Sequence, residues 1–372
     1  IKNIGYVIWN IFLIVIKIDL NWGGRVAEKK INIAFNGFGR IGRNLVRTLI
    51  KNDKYNIVGI NARTTVDVRA HLFKYDSIHG HFDGKIEYEL DNLIIDGHSI
   101  PNFDRNTPAK LPWGELDVDY VIDCTGKFAD KFSLLQHIEA GAKNVIVTSP
   151  AKDVDATLIY GVNETDYKVK ENNIVSASSC TTTCLTPILK VLQKNYGIKN
   201  GFVTTIHSFT LGQTLLDSSH PDLRRARAAT MSMIPTTTGA ARNVGLVLPE
   251  LEGKLDGQAI RVPVPNVSLL DLSLELQTDA DVEDIHAVFE KEAKNKMKGI
   301  INVSCEPLVS VDYIGSRYST VIDCLSTKVL NKRFAKVLAW YDNEHGYCCR
   351  VLDLLDYLTK KTSEKKTPAK PS

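Results

Sequence analysis

The chain has 372 residues, 44% hydrophobic and 24% charged. This usage excludes a wholly disordered or collagen-like polymer, and the length suits about two domains at roughly 150 residues each. Lys and Arg number 46 against 43 Asp and Glu, a net charge of +3, so bulk charge gives no sign of a nucleic-acid partner.

Residues 1–30 differ from the rest. Ile4–Ile18 is largely apolar, with Asn10 and Lys17 within it. It is shorter than the roughly 20 residues a membrane span needs, and it lacks a basic leader and a small-residue cleavage site. It reads as an extension outside the fold, with a membrane or signal element as the competing reading. Asn21–Lys30 is polar, contains Gly23-Gly24 and suits a linker. From Ile31 short apolar runs alternate with helical segments. The pattern predicts a strand over Ile31–Asn36, a helix over Gly42–Asn52 and strands over Tyr55–Asn61, Tyr120–Cys124 and Asn144–Thr148. This βαβ alternation argues an α/β Rossmann-type, doubly wound parallel sheet. After Cys180 the runs Phe202–Thr210, Arg261–Leu276 and Lys336–Trp340 read as longer strands, and Tyr347–Lys361 as a helix. The lysine-rich tail Lys360–Ser372 reads as frayed.

Gly37-Phe38-Gly39-Arg40-Ile41-Gly42 fits G-x-G-x-x-G between a strand and a helix. In that context the glycines let backbone approach a pyrophosphate lying on the helix N-terminus. A carboxylate usually follows about 20 residues on, to take the adenosine ribose hydroxyls. Here Asn61 is followed by Ala62, Arg63, Thr64 and Thr65, and Asp67 is the nearest carboxylate. Its loss removes repulsion against a 2′-phosphate, and Arg63 suits pairing with one; a plain surface arginine is the alternative. Thr148 closes another strand of the same sheet and belongs to the same expected cofactor site, which takes NADP or NAD.

Seven cysteines, none in a CxxC pair, leave at least one unpaired thiol in a monomer and favour a reducing compartment. Ser178-Ser179-Cys180-Thr181-Thr182 precedes the apolar run Leu185–Leu192, so Cys180 falls in or beside a first helical turn. The helix dipole and free backbone N–H groups there favour a thiolate. A buried structural cysteine fits the spacing equally well. Pro187 is unusual inside such a helix. His207, in the strand-like run from Val203, is a candidate base for the thiol. His79 and His81 lack a partner set for a metal, and no metal site is expected.

From Ile31 to about Lys361 the chain resembles phosphorylating glyceraldehyde-3-phosphate dehydrogenase, of the NADP-tolerant or NADP-preferring type. The resemblance rests on Asn36–Arg43, Ser179–Thr182, His207-Ser208, Asp222–Ala228, Pro235–Ala241 and Trp340–Glu344. It implies residues 31–179 as the dinucleotide-binding domain and 180–343 as an α+β catalytic domain with a large mixed sheet. Residues 344–361 would return as a helix to the first domain, leaving 362–372 as a flexible tail. It implies that Cys180 attacks the aldehyde, that His207 takes the proton, and that hydride passes to the nicotinamide to leave a thioester. Phosphate then releases 1,3-bisphosphoglycerate. Thr210, Arg225 and Arg261 would hold the substrate phosphate, Ser179, Thr181, Thr238 and Gly239 the attacking phosphate, and Asn343 the nicotinamide carboxamide. A cytoplasmic homotetramer is implied, with no membrane partner.

Several positions depart from the family pattern. Ala177 and Thr183 stand where asparagine is usual, Leu211-Gly212 replaces Asn-Asp, and His345 replaces a tryptophan. Altered affinity or turnover is expected rather than lost activity. Ser218-Ser219 stands where NAD-specific relatives have Leu-Pro and resembles the NADP-using members. The alternative activity is erythrose-4-phosphate dehydrogenase, and the physiological direction is open. Loss of Cys180 or His207 would mark a non-catalytic binding protein, and both are retained.

Overall fold

The computed structural model describes residues 29–364. The apolar Ile4–Ile18 run, most of the expected linker and the tail beyond Glu364 lie outside them. Two sheets organise the described chain. The first contains β1 (Ile31–Asn36), β2 (Tyr55–Asn61), β3 (Ile86–Glu89), β4 (Asn92–Ile95), β5 (His98–Phe103), β6 (Tyr120–Asp123), β7 (Asn144–Val147), β8 (Ala156–Thr157) and β9 (Ile174–Ser176). Their order is β3-β4-β5-β2-β1-β6-β7-β9-β8. Pairings from β5 through β8 are parallel, while β3 and β4 fold back antiparallel. Parallel strands covered on both faces need continuous apolar runs. Ile33, Ala34 and Phe35 are accordingly all fully buried.

Helices α1 (Arg40–Leu49), α2 (Val66–Lys74) and α3 (Lys131–Glu139) follow β1, β2 and β6 in turn. The second sheet begins after α4 (Cys180–Tyr196) and comprises β10 (Ile198–Ser208), β11 (Ile234–Thr237), β12 (Leu255–Val262), β13 (Ser268–Leu276), β14 (Ile301–Ser304), β15 (Thr320–Leu330) and β16 (Phe334–Tyr341). Its order is β11-β12-β10-β13-β16-β15-β14, with parallel and antiparallel pairs mixed. Along β13 buried and half-buried residues alternate, as a sheet with one covered face requires. Leu270, Leu272 and Leu274 share a core with Leu185, Ile188 and Leu189 of α4, and with Ile285 and Phe289 of a helix over Val282–Lys294.

The last helix, His345–Glu364, leaves the second sheet. Val351, Leu354, Leu355 and Leu358 join the core of Ile33, Phe35 and Leu45 in the first. It runs three residues past the expected end, so Lys360–Glu364 is helical rather than frayed. The run read as one strand from Arg261 to Leu276 is two strands. Pro263 and Pro265 remove ladder donors between them, and Val267 turns the chain at φ +69°. The helix predicted from Gly42 begins two residues earlier, at Arg40. The hairpin strands over Ile86–Phe103 gave no clear alternation and were missed. The described residues contain five free thiols and one disulfide, Cys305–Cys324, which no spacing announced. Among the described residues no helix is long and apolar enough to cross a membrane.

Candidate active site

A cavity of about 950 Å³ runs from the glycine-rich turn to Cys180. At one end its wall is built from Gly37, Phe38, Gly39, Arg40 and Ile41, with Arg63 and Thr148 beside them. Each glycine of the turn has its own reason. Gly37 adopts φ +102°, and a Cβ there would lie 2.8 Å from the backbone of Cys124 and Thr125. A Cβ on Gly42 would lie 2.3 Å from Gly37 O, so Gly42 sits beneath the turn and is absent from the cavity wall. A Cβ on Gly39 would meet nothing within 4 Å. That open space faces the first turn of α1, whose free N–H groups suit a pyrophosphate. This cradle fits a dinucleotide. Thr148 is fixed by two hydrogen bonds to Asp123 O, from its N–H at 2.9 Å and its hydroxyl at 3.0 Å. Asp67 lies on the first turn of α2, exposed and outside the cavity wall.

The other end holds the thiol. Ser178, at φ +58°, turns the chain from β9 into α4, and Tyr347 donates to its carbonyl. The Ser179 hydroxyl then accepts from Thr182 N–H as N-cap, which leaves Cys180 as the first helical residue. Helix α4 continues through Pro187. Cys180 Sγ lies 3.6 Å from His207 Nε2. His207 is the penultimate residue of β10, and its register partner on parallel β12 is Arg261. That pairing sets Arg261 Nη1 at 2.8 Å from both His207 Nδ1 and Ser208 O. The His207 Nδ1 itself lies 2.7 Å from Ser208 O.

Burial dominates the electrostatics. It pushes the Cys180 thiol above its ordinary range, against the Arg261 cation and the backbone N–H of Thr181. Burial, then Arg261, pushes the His207 imidazole down to about 3. A neutral thiol and neutral imidazole are therefore the stable pair of the protein alone. Desolvation there opposes the helix terminus, which favours the thiolate. Cys184, one turn on, is fully buried, and burial pushes its thiol up as well.

Asn343 also lines the cavity. Its Oδ1 accepts from the hydroxyls of Ser208 and Ser268, each at 3.0 Å. Its carbonyl is thereby fixed, and Nδ2 is the group left to donate. Arg40 lines the cavity too. Its guanidinium is taken by two carboxylates, Glu344 at 2.7 and 2.5 Å and Asp76. Burial opposes the charge on each, but the mutual hydrogen bonds outweigh it: Arg40 is pushed up, and Asp76 and Glu344 are pulled down.

Ser179 and Thr210 line the cavity, whereas Thr181, Arg225, Thr238, Gly239 and Arg261 do not. Thr181 is buried, and its hydroxyl meets Tyr341 Oη at 3.0 Å. The Arg225 side chain donates to Thr236 Oγ1 at 2.9 Å. Thr238 accepts from Ala240 N–H at 3.2 Å. Ser218 and Ser219 are exposed and outside the cavity wall. His79 pairs with Glu344, at 2.9 Å. Sequence reasoning missed Ser208, Ser268 and Tyr341 as supports, because their partners arrive by strand register: Ser268 faces Tyr341 on antiparallel β16. It also missed Asp123, which accepts from Asn36, 2.7 Å, and faces the buried His137, 3.2 Å.

Comparison with known proteins adds an independent line. Residues 31–131 match the model described as "Glyceraldehyde 3-phosphate dehydrogenase, NAD binding domain", in line with an NAD or NADP cofactor. Residues 179–343 match "Glyceraldehyde 3-phosphate dehydrogenase, C-terminal domain". Glyceraldehyde-3-phosphate dehydrogenase 2 of Bacillus subtilis (strain 168) is 48% identical over 332 residues, 89% of this chain and 98% of that protein. Glyceraldehyde-3-phosphate dehydrogenase of Geobacillus stearothermophilus is 48% identical over 331 residues, 89% and 99% of the two chains. Glyceraldehyde-3-phosphate dehydrogenase A, chloroplastic, of Chlamydomonas reinhardtii is 48% identical over 339 residues, 90% of each.

Proposed function

Because the chain belongs to the glyceraldehyde-3-phosphate dehydrogenase family, we propose that it converts glyceraldehyde 3-phosphate, phosphate and NAD(P)⁺ reversibly to 1,3-bisphosphoglycerate and NAD(P)H. The observation that carries this reading is Cys180 Sγ at 3.6 Å from His207 Nε2, at the cavity wall and the start of a helix. The pair works in defined steps. His207 Nε2 takes the thiol proton as Sγ bonds the aldehyde carbon, giving a thiohemiacetal. This requires the ring proton on Nδ1, and Ser208 O at 2.7 Å is its acceptor. Arg261 Nη1 competes for both atoms. A substrate phosphate that draws Arg261 toward itself frees Nδ1 to donate to Ser208 O. The imidazolium and the backbone N–H groups of the first turn of α4 then stabilise the oxyanion. Bound NAD⁺ or NADP⁺ would supply the hydride acceptor for oxidation of the thiohemiacetal to a thioester, with His207 Nε2 holding the proton, and Asn343 Nδ2 would orient the carboxamide. Phosphate attacks the thioester carbon and Sγ leaves. Thr210, Arg225 and Arg261 hold the substrate phosphate, and Ser179, Thr181, Thr238 and Gly239 the attacking one. For Thr181 and Arg225 that role requires leaving their Tyr341 and Thr236 partners.

Residues 31–179 form the dinucleotide-binding domain and 180–343 the catalytic domain in this reading. NADP(H) is used at least as well as NAD(H). Support comes from Ala62 in place of a carboxylate and from a pocket of about 640 Å³ beside the main cavity, lined by Arg63, Arg69 and Arg105. Arg69 is committed to Asn102, Ala62 and Phe103, which leaves the exposed Arg63 and Arg105 for a 2′-phosphate. Asp91 and Asp104 line the same pocket and temper its charge. A cytoplasmic homotetramer completes the reading. Leu211, Leu215, Leu216, Leu223, Met231 and Met233 are each 66–87% exposed, an apolar surface that neighbouring copies would cover. Ser218 and Ser219 would reach the ribose from such a neighbour.

The test is the appearance of reduced nicotinamide with glyceraldehyde 3-phosphate, with and without phosphate, for both cofactors. Phosphate-dependent turnover with the triose exceeding that with erythrose 4-phosphate is expected. Turnover independent of phosphate, or faster with the tetrose, would overturn the reading.

A further inference from the structure

Arg40 directly follows Gly39 in the glycine-rich turn, and two carboxylates engage its side chain. Nε and Nη2 grip both oxygens of Glu344, while Nη1 and Nη2 bond Asp76. The far carboxylate is itself anchored, because Asp76 Oδ1 accepts the N–H groups of Ile78 and His79, each at 2.9 Å. His79 Nε2 closes the cluster on Glu344 Oε2. The Asp76 and Glu344 side chains are only 7% and 10% exposed, so neither is a surface pair screened to insignificance. Glu344 adjoins Asn343. The segment is held from the other side as well: Asp342 Oδ1 accepts from Glu344 and His345 N–H, and Oδ2 from Gly315 N–H. A second tie joins the same two elements, His345 Nδ1 to Asn44 Oδ1 at 3.2 Å.

We propose that Arg40, Asp76, His79 and Glu344 form a clasp that sets Asn343 against the glycine-rich turn, making Arg40 and Glu344 positioning residues for the nicotinamide end of the cofactor. This rests on the dinucleotide reading above. The guanidinium directs its bidentate fork at carboxylate, so phosphate binding falls to the backbone of the turn. Loosening the clasp at Glu344 releases Asn343 and leaves the turn intact.

The test compares two ligands on the full-length protein by calorimetric titration. NAD⁺ uses both ends of the site, whereas ADP-ribose carries the pyrophosphate and lacks the nicotinamide. Glu344→Gln keeps the shape and removes the charge. It is expected to weaken NAD⁺ about tenfold, to leave ADP-ribose within about twofold, and to lower kcat with the triose. Arg40→Lys, which keeps the charge without the fork, is expected to show the same split, less steeply. Equal weakening of both ligands in Glu344→Gln and Arg40→Lys would make Arg40 a phosphate ligand or the cluster merely structural, and would overturn the proposal. Unchanged NAD⁺ binding in both variants would overturn it too. Wild-type protein that binds neither ligand would instead refute the underlying dinucleotide reading, and the clasp's role with it.

Discussion

Replacing His207 by Asn removes the base and one buried titration at once, and the second effect has a calculable size. The imidazole is 4% exposed and its pKa is pushed down to about 3 from 6.5. Unfolded chains therefore bind a proton at this position below pH 6.5 while folded ones stay neutral until about pH 3. The sign follows: His207 contributes nothing to the pH dependence above 6.5, and costs stability as pH falls below it. One proton is worth about 1.4 kcal/mol per pH unit, so the cost reaches about 2 kcal/mol at pH 5. Asn does not titrate. The stability difference between wild type and His207→Asn should therefore shift by about 2 kcal/mol in the variant's favour between pH 7.5 and pH 5. Urea unfolding followed by tryptophan fluorescence at one fixed protein concentration measures it. A stability difference that is the same at both pH values would refute the claim that His207 is held neutral by burial. At pH 7.5 the variant should also lose a factor of roughly 10²–10⁴ in turnover, the scale of a general base.

Cys180→Ser should abolish turnover with an unchanged circular dichroism spectrum, since an alcohol is a far weaker nucleophile. In wild type, brief iodoacetamide treatment should label Cys180 before the fully buried Cys184; mass spectrometry of the peptides reads the order. Ala62→Asp should shift the kcat/KM ratio toward NAD by roughly tenfold, about 1.4 kcal/mol, and Arg63→Ala should weaken NADP while sparing NAD; steady-state kinetics with both cofactors checks each. Trp113→Phe removes the N–H that meets His137 Nδ1 at 3.0 Å, leaving a fully buried acceptor unpaired. A loss of about 1–3 kcal/mol is expected, read as a lower urea midpoint.

Features built from neighbouring residues were readable in the sequence. Strands Ile31–Asn36 and Tyr55–Asn61 have the expected ends, because each is centred on a short apolar run, Ile33–Phe35 in one and Ile57–Ile60 in the other. The glycine turn was legible for the same reason: its constraints are local, apart from the Cys124 backbone that crowds Gly37. Cys180 at a helix start followed from the Ser and Thr residues before it. The meeting of Cys180 with His207 did not follow from spacing, since strand β10 first had to be placed beside the helix. Arg261 became a neighbour of His207 only through the register of β10 on β12. The engagement of Arg40 was hidden because its partners lie 36 and 304 residues away. The burial around the pair was not legible either, because a motif carries the helix dipole but not the depth of burial that opposes it.

The return of the last helix to the first sheet makes the dinucleotide-binding part discontinuous along the chain. Leu354, Leu355 and Leu358 share a core with Ile33 and Phe35, although some three hundred residues separate them. The polypeptide crosses between the two sheets twice, near Ser176–Cys180 and near Tyr341–His345. Each crossing carries a cavity residue, Cys180 on one and Asn343 on the other. The second sheet is thus an insertion whose two seams both run through the reaction centre. A fragment ending at residue 179 would forfeit the terminal helix and bare the apolar face that helix covers. The first half cannot be expressed, exchanged or inherited as one uninterrupted stretch, and any recombination that swaps the catalytic sheet must join both seams inside the site itself.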